Sequence, residues 1–296
     1  MIRINAKYLL VWAVCAILAG AADTPGFAAA DPEREITIAT FNIQIFGKSK
    51  RSKAGVMSVL ADIADEFDII AIQEIRDRSG ETPGAYLAAM NAQGEEDHSM
   101  AVSGRLGRTR SKEQYVFYFD TRRVAMVGAP ATYPDYGDLF EREPFGVRFR
   151  AGELDFVLLN VHIKPGDAPV EIKALGDVHR WAVEVFGDSD VVILGDFNAD
   201  CRYFSEGTRE AVLDMNWVTP PHLDTTVKDT DCTYDHFVIS DSLVDAFIGS
   251  VGVFRFDLEY DLTREFSEDV SDHYPVWASF ATKKIRRCTR TEGKYP

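Results

Sequence analysis

The chain has 296 residues, is 46% apolar and 27% charged, and carries a formal net charge of -15. That length and composition leave room for one large domain with a substantial core, and no internal repeat, low-complexity tract or Pro/Gly/Ser linker divides it. An acidic chain of this kind is excluded as a general polyanion binder, so any nucleic-acid ligand would need a local basic patch or bound divalent cations.

Taken in chain order, residues 1–30 read as a signal peptide. Arg3 and Lys7 give a positive start, Tyr8 to Gly20 is apolar, and Phe27-Ala28-Ala29-Ala30 offers a small-residue cleavage site. The apolar stretch is short for a membrane span and no later segment is apolar enough to make one. The mature chain is therefore expected to be secreted or periplasmic, monomeric and without membrane contact. Loss of Arg3, Lys7 and Asp23 leaves it at a net charge of about -16.

Residues 31–282 read as a single domain. Glu35–Ile43 alternates and is rich in β-formers, which predicts a strand. Ala54–Phe67 places Val56, Leu60, Ile63, Ala64 and Phe67 at helical spacing. Asp68–Ile72 is a short apolar run ending at Gln73-Glu74, a buried strand, and Ala85–Asn91 reads as helix. Tyr115–Phe119 and Phe156–Val161 are strands, the latter ending at His162. Pro169–Phe186 is a long amphipathic helix, Asp190–Leu194 is an apolar strand, and Asp235–Ile239 and His273–Phe280 are further strands. Residues 283–296 form a basic tail read as a flexible extension. Helices alternate with strands early and strands follow one another later, which suggests sheets covered by helices rather than a purely parallel doubly wound fold.

Several of these strands end in residues of one chemical kind: Asn42, Glu74, His162, Asp196 with Asn198, Asp235, and Asp272-His273 at a strand start. Alone, Gly195-Asp196-Phe197-Asn198 is also an ordinary strand end running into an Asx turn. Six such endings collected on a rigid scaffold point to a site. Glu74, Asp196, Asp272, Asn42 and Asn198 make an all-oxygen set suited to a hard divalent cation, Mg²⁺, Mn²⁺ or Ca²⁺, whereas zinc would prefer His or Cys. His162 and His273 add two imidazoles that titrate near neutrality. Together these suit phosphodiester hydrolysis, with one imidazole taking a proton from water and the other protonating the leaving oxygen. His98, His179 and His222 keep a structural reading.

Cys15 falls in the signal segment, leaving Cys201, Cys232 and Cys288. Cys201 and Cys232 are the favoured disulfide pair, because each directly follows a candidate site segment.

The resemblance then becomes specific. Thr40-Phe41-Asn42-Ile43, Ile72-Gln73-Glu74-Ile75-Arg76-Asp77, Leu106-Gly107-Arg108, Val161-His162, Gly195 to Cys201, Cys232-Thr233-Tyr234-Asp235 and Ser271 to Val276 resemble the deoxyribonuclease I family, in that family's order. The wider group is the endonuclease/exonuclease/phosphatase superfamily, so the resemblance implies a four-layer α/β sandwich with two central mixed β-sheets flanked by helices. It implies Glu74 as principal metal ligand, with Asn42, Asp196, Asn198 and Asp272 around the metal and the scissile phosphate. It implies His162 and His273 as the acid/base pair, oriented by Glu113 and Asp235. Arg76 and Arg142 fall where the family contacts the DNA backbone or groove. Asp224, Thr226 and Thr230 resemble one family calcium site. Asp138, Phe140 (by its carbonyl) and Glu143 resemble another, without the small disulfide usual near it. Cys201–Cys232 matches the family's other, structural disulfide.

The chain departs from the family at Gln44 and His236, where mammalian members carry arginine, and at Lys228, where an uncharged residue is usual. Thr109-Arg110-Ser111 replaces an Asn-Ser-Tyr run whose tyrosine packs in the minor groove. Arg105, Arg108, Arg110 and Lys112 form the one dense basic cluster in the core of the sequence. The expected activity is metal-dependent DNA endonuclease cleavage, on double-stranded DNA and with single-stranded DNA also open, with weak sequence preference and salt-sensitive binding. The rival readings are a phosphodiesterase or phosphatase of the same superfamily on another substrate, and a catalytically silent binding protein.

Overall fold

The computed structural model describes residues 34–93 and 97–283. The expected signal peptide with Cys15, and the basic tail with Cys288, lie outside the described residues, apart from Lys283. No helix among the described residues is long and apolar enough to cross a membrane.

The chain opens with β1 (Glu35–Phe46), α1 (Lys48–Arg51), α2 (Ala54–Asp65), β2 (Ile69–Ile75), α3 (Thr82–Gln93), β3 (His98–Val102) and β4 (Gln114–Asp120). Short strands β5 (Ala125–Met126) and β6 (Ala131–Thr132) precede the hairpin of β7 (Phe145–Ala151) and β8 (Leu154–His162). Then come α4 (Ala168–Phe186), β9 (Val191–Asp196), α5 (Arg209–Val212), β10 (Asn216–Trp217) and β11 (Asp235–Ile239). The last elements are β12 (Phe247–Val253), α6 (Phe256–Glu259), α7 (Arg264–Val270) and β13 (Val276–Ala281).

Two mixed sheets result. The first is six-stranded in the order β12-β13-β1-β2-β4-β3; the second is seven-stranded, β10-β11-β9-β8-β7-β5, with β6 also on β7. Three apolar clusters define four layers. Ile38, Phe117, Phe145, Phe149, Phe156, Leu158 and Leu194 lie between the sheets. Val56, Leu60 and Ile63 of α2 and Tyr86 of α3 cover the outer face of the first sheet, against Phe41, Ile70 and Ile72. Ile172, Leu175 and Val178 of α4 cover the second, against Val157, Leu159 and Ile193. Each large side chain fully buried in these layers contributes roughly 1.5–3 kcal/mol. This is the expected four-layer α/β sandwich.

Two elements differ from the sequence reading. The last strand begins at Val276, because Tyr274 N–H and Asp272 C=O pair with Thr225 and Val227 of a neighbouring loop, and Pro275 has no N–H to continue the ladder. The helix from Ala54 ends at Asp65, and Phe67 turns inward to stack edge-on against Phe254 at 5.7 Å. Strands β3, β7 and β12 are not legible in the sequence, the last because Gly249 and Gly252 interrupt its pattern.

The topology sets the site directly. β8 and β9 run parallel with His162 opposite Asp196, and β11 runs antiparallel to β9 with Asp235 opposite Asp196. Partners in register share a face, so these three side chains stand in one row at the end of the second sheet. Gly195 permits the approach: a Cβ there would lie 1.9 Å from Val161 O. Asn42 and Gln73 are opposite each other in the first sheet, one residue short of Glu74. Gln73 Nε2 donates to Thr40 Oγ1 (2.9 Å) and across the interface to Asn160 Oδ1 (2.7 Å), whose own amide donates to Ile72 O (3.1 Å). This buried polar link, in which only Gln73 Oε1 lacks a partner, ties the two sheets to one another just beneath the site.

Candidate active site

The carboxylate–imidazole pairs and the Asn42–Asp196 bond each join one sheet to the other. His162 ends β8 of the second sheet, and its Nδ1 lies 2.7 Å from Oε1 of Glu113, which precedes β4 of the first. Asp235 begins β11 of the second sheet, and its Oδ2 lies 2.8 Å from Nδ1 of His273, which precedes β13 of the first. Asn42 on β1 donates from Nδ2 to Asp196 Oδ2 on β9 at 3.0 Å. The Nε2 atoms of His162 and His273 approach that same oxygen, at 3.5 and 3.8 Å.

The His162 pair is closely braced. Glu113 is fully buried and faces Arg142 Nε at 2.9 Å and Arg76 Nε at 3.6 Å. Burial alone would raise its pKa, but His162, Arg142 and Arg76 outweigh burial and hold the carboxyl below its ordinary value. Burial likewise opposes a charged imidazole at His162, and Glu113 overcomes it, so the pKa of His162 is raised. The Tyr115 hydroxyl accepts from His162 N–H (2.9 Å), and Arg142 Nη1 donates to His162 C=O (3.2 Å). Behind them, Glu171 on the first turn of α4 accepts from Glu141 N–H (2.9 Å) and Lys164 N–H (3.2 Å).

The His273 pair sits among acids. Burial opposes its charge, but Asp235, Asp196 and Asp272 push the pKa up to about 10. The proton of this pair therefore rests on the imidazole, opposite a fully buried Asp235 that also takes a 3.4 Å hydrogen bond between its N–H and Thr225 Oγ1. In both pairs the carboxylate takes Nδ1 and leaves Nε2 toward Asp196, which fixes the tautomer and ring orientation.

The oxygen donors are present but not drawn together into one contact: among the described residues no trio of these carboxylates has oxygens all within 4.8 Å. Glu74 adopts a left-handed backbone (φ 63°), and its Oε2 accepts from Ile45 N–H (2.8 Å) and faces Arg76 Nη2 (3.2 Å). Asn198 is also left-handed (φ 48°); its N–H donates to Asp196 Oδ1 (2.9 Å) and its amide to Ile163 O (3.0 Å). Such conformations cost about 1–3 kcal/mol each and collect at functional sites. Asp272 Oδ2 accepts from Gln44 Nε2 (2.7 Å) and Lys228 Nζ (3.2 Å). A hard cation fits this donor set chemically. Asn42 supports the fit: its nitrogen is committed to Asp196, while its Oδ1 is buried without a hydrogen-bond partner.

The remaining candidates divide. Arg76, expected as a DNA contact, lies between Glu74 (3.2 Å) and Glu113 (3.6 Å). Arg142 is 7% exposed and spent on Glu113 and His162, so it is a brace and not a free contact for a ligand. Arg108 is neutralised by Asp138, Glu141 and Asp167 at 3.7, 3.9 and 3.9 Å, whereas Arg110 is exposed. Asp224, Thr226 and Thr230 do meet, with Asp224 Oδ1 accepting from Thr226 N–H (3.0 Å) and Oγ1 (2.8 Å), and Thr226 bonded to Thr230. Lys228 leaves that loop and points to Asp272, so it does not intrude on the trio. The Asp138, Phe140 and Glu143 set carries its own cation: Arg108 Nη1 donates to Asp138 C=O at 2.6 Å, although Glu143 Oε2 is buried without a partner. Cys201 and Cys232 form the expected disulfide, with Cα atoms 5.9 Å apart.

Sequence reasoning misses several residues. Lys228 and Gln44 stand out in the sequence only as departures from the family. Lys50 does not stand out at all; it donates to Val270 O at 2.8 Å, and burial lowers its pKa to about 8 against the pull of Asp272 and Glu74. Ser271, whose hydroxyl donates to Asn42 C=O at 2.6 Å, ties the Asp272-His273 segment to β1. A helical lysine has no signal in one sequence that sets it apart, and Ser271, although it opens a family-like segment, carries no sign there of this tie.

Comparison with known proteins follows the same lines. The model of the Endonuclease/Exonuclease/phosphatase family matches residues 39–273. The chain is 34% identical to deoxyribonuclease-1 of Bos taurus over 256 residues, covering 81% of this chain and 90% of that protein. It is 35% identical to deoxyribonuclease-1 of Homo sapiens over 255 residues, covering 81% and 90%. Among solved structures, an endonuclease/exonuclease/phosphatase family protein from Leptotrichia buccalis matches with a TM-score of 0.61 at 15% identity, covering 83% of this chain and 99% of that one, a likeness of fold alone.

Proposed function

The chain belongs to the endonuclease/exonuclease/phosphatase family, on its deoxyribonuclease I-like side, and from that premise we propose that it is a secreted or periplasmic, divalent-metal-dependent endonuclease that hydrolyses DNA phosphodiester bonds with little sequence preference. The observation that carries this reading is the convergence of two carboxylate-oriented imidazoles, by Nε2, on Asp196. One Nε2 is placed to take a proton from water and the other to protonate the leaving oxygen, a division of labour worth about 10²–10⁴-fold per group. Glu113 and Asp235 hold Nδ1–H and stabilise each imidazole when it is charged. Glu74, Asp272, Asp196 and Asn42 would hold Mg²⁺ or Mn²⁺, which supplies charge neutralisation at the scissile phosphate. The Cys201–Cys232 disulfide supports an oxidising compartment. Calcium is assigned to the Asp224, Thr226 and Thr230 loop as a structural ion, and not to the Arg108-bound set.

Nicking of supercoiled plasmid by the purified protein tests the reading. Mg²⁺ or Mn²⁺ should support conversion to relaxed circles, and a chelator should abolish it. No nicking with any divalent ion, or undiminished nicking in chelator, sinks the proposal.

A further inference from the structure

Ile45 is an outlier that the proposed acid/base and metal chemistry does not use. Among the described residues, Ile45 (φ 51°) is the only β-branched side chain on a left-handed backbone. β-branched residues rarely adopt that conformation, because the branch crowds the neighbouring backbone. Where it persists, the surroundings over-determine it, and such positions collect at functional sites.

The surroundings are explicit. β1 pairs Asn42 with Gln73 and Phe46 with Ile75, so it holds two residues more than β2 across that stretch. Ile43 and Phe46 are fully buried and anchor the bulge on either side. Phe46 packs edge-on against Tyr86 at 5.5 Å, and its C=O accepts from Arg76 N–H at 2.9 Å. Gln44 and Ile45 bow outward between these anchors. Gln44 Nε2 donates to Asp272 Oδ2 (2.7 Å), and Ile45 N–H donates to Glu74 Oε2 (2.8 Å). One dipeptide thus bridges two of the carboxylates assigned to the metal. Bulges beside active sites commonly re-aim a side chain. The side chain placed here is apolar and 58% exposed, although glycine or asparagine would take the same backbone readily.

We propose that Ile45 is a specificity-determining residue, an apolar wall against the 2′ carbon of a nucleotide flanking the scissile bond, which disfavours ribose. The inference rests on the nuclease reading and concerns the sugar alone. A nucleic acid whose scissile phosphate lies between Glu74 and Asp272 brings the adjoining sugars beside Ile45. The 2′-hydroxyl is the group by which a protein tells RNA from DNA. Against Ile45 that hydroxyl would lose water and gain no partner, because the donors of the Gln44-Ile45 dipeptide already serve carboxylates. A 2′-methylene suffers no such loss. An unpaired hydroxyl on an apolar wall lowers cleavage by about 5–100-fold.

The test maps cleavage, bond by bond, of an end-labelled DNA duplex in Mg²⁺ in which one strand carries a single ribonucleotide. The unsubstituted bonds of the same duplex are the internal reference. Wild type should cut one of the two bonds flanking the ribonucleotide about 5–100-fold less than the same bond in all-DNA duplex. A 2′-fluoro nucleotide, which favours the ribose pucker but has no hydroxyl to desolvate, should be cut like DNA. Ile45→Gly suits the left-handed backbone, keeps the N–H on Glu74 and removes the wall, so the ribonucleotide penalty should fall to within about threefold of none. Ile45→Asn suits the same backbone and offers the hydroxyl a partner, and it should also relieve the penalty. A penalty that survives both substitutions overturns the assignment of Ile45 while the nuclease reading stands. No penalty in wild type, or an equal penalty for the 2′-fluoro nucleotide, overturns the hydroxyl mechanism. A wild type that cleaves no DNA overturns the nuclease reading and this inference together.

Discussion

His162 and His273 reach the same oxygen of Asp196, yet they are held in opposite ways. His162 ends a strand and is enclosed by Glu113, Arg142, Arg76 and the Tyr115 hydroxyl. His273 lies outside any regular strand, in an isolated bridge with Thr226, and its nearest charges are the acids Asp235, Asp196 and Asp272. Two arginines behind the first pair keep Glu113 ionised, and one of them, Arg142, limits how far His162 can rise. Three acids around the second push His273 to about 10. One imidazole is fixed by its scaffold, and the other is governed by local charge. A divalent cation on Asp272 and Asp196 would offset that charge and lower His273; His162 would feel it as well, through Asp196 alone.

The largest effects come from removing either imidazole. His162→Ala and His273→Ala should each lower kcat/KM by about 10²–10⁴-fold on plasmid or duplex DNA. Because they act on one reaction, the double variant should cost far less than the product of the two. A single variant retaining activity within threefold of wild type would remove that histidine from the chemistry and end the comparison.

Next comes the brace. Arg142→Met leaves Glu113 buried beside a single arginine at 3.6 Å. Breaking a buried ion pair from one side costs about 3–5 kcal/mol, which urea denaturation would read, and loss of such orienting partners costs roughly 10–100-fold in activity. Wild-type stability in this variant would show that Arg142 does not brace the pair.

The unequal legibility of the two pairs has a physical cause. Glu74, His162, Asp196 and Asp272-His273 each interrupt or flank an apolar run, and that contrast is visible in one sequence. The braces are not marked in this way. Tyr115 is an aromatic within an apolar strand and reads as core, which it also is. Glu171 is an acid in the first turn of a helix, where acids are common for reasons of helix polarity. Gln73 and Asn160 are 87 positions apart and meet only when the sheets pack. Residues that carry chemistry were legible from the pattern; of those that hold them, Asp235 was legible too, Glu113 and Arg142 were named only through the resemblance, and the rest came from tertiary proximity. The sandwich itself followed from family resemblance more than from periodicity, since β3, β7 and β12 lack clean patterns.

Glu171 offers a finer test of the braced side. Burial raises its pKa to about 7, above its ordinary 4.5. An acid whose folded-state pKa lies above its unfolded value contributes stability that is complete below the unfolded pKa and is lost as pH rises through the folded one. Wild type should therefore lose stability relative to Glu171→Gln between about pH 4.5 and 7. The difference in Tm, wild type minus variant, should fall by a few degrees across that window, with chelator present to keep metal out. A difference independent of pH would mean that Glu171 does not titrate there.

The smallest effect belongs to the open side. Lys228 Nζ lies 3.2 Å from Asp272 Oδ2, but its side chain is 49% exposed. An ion pair so wet contributes about 0.2–1 kcal/mol, so Lys228→Met should hardly move the urea midpoint, in contrast to Arg142→Met. Its consequence should lie in metal binding. An ammonium on Asp272 must be displaced or repelled when a divalent cation arrives, so its removal should tighten Mg²⁺ or Mn²⁺ binding by about 3–10-fold, equivalent to ~0.7–1.4 kcal/mol. Calorimetric titration of the metal reads this without any substrate. If Lys228→Met binds metal as weakly as wild type, the ammonium is a bystander, and the charge around His273 is set by the acids alone.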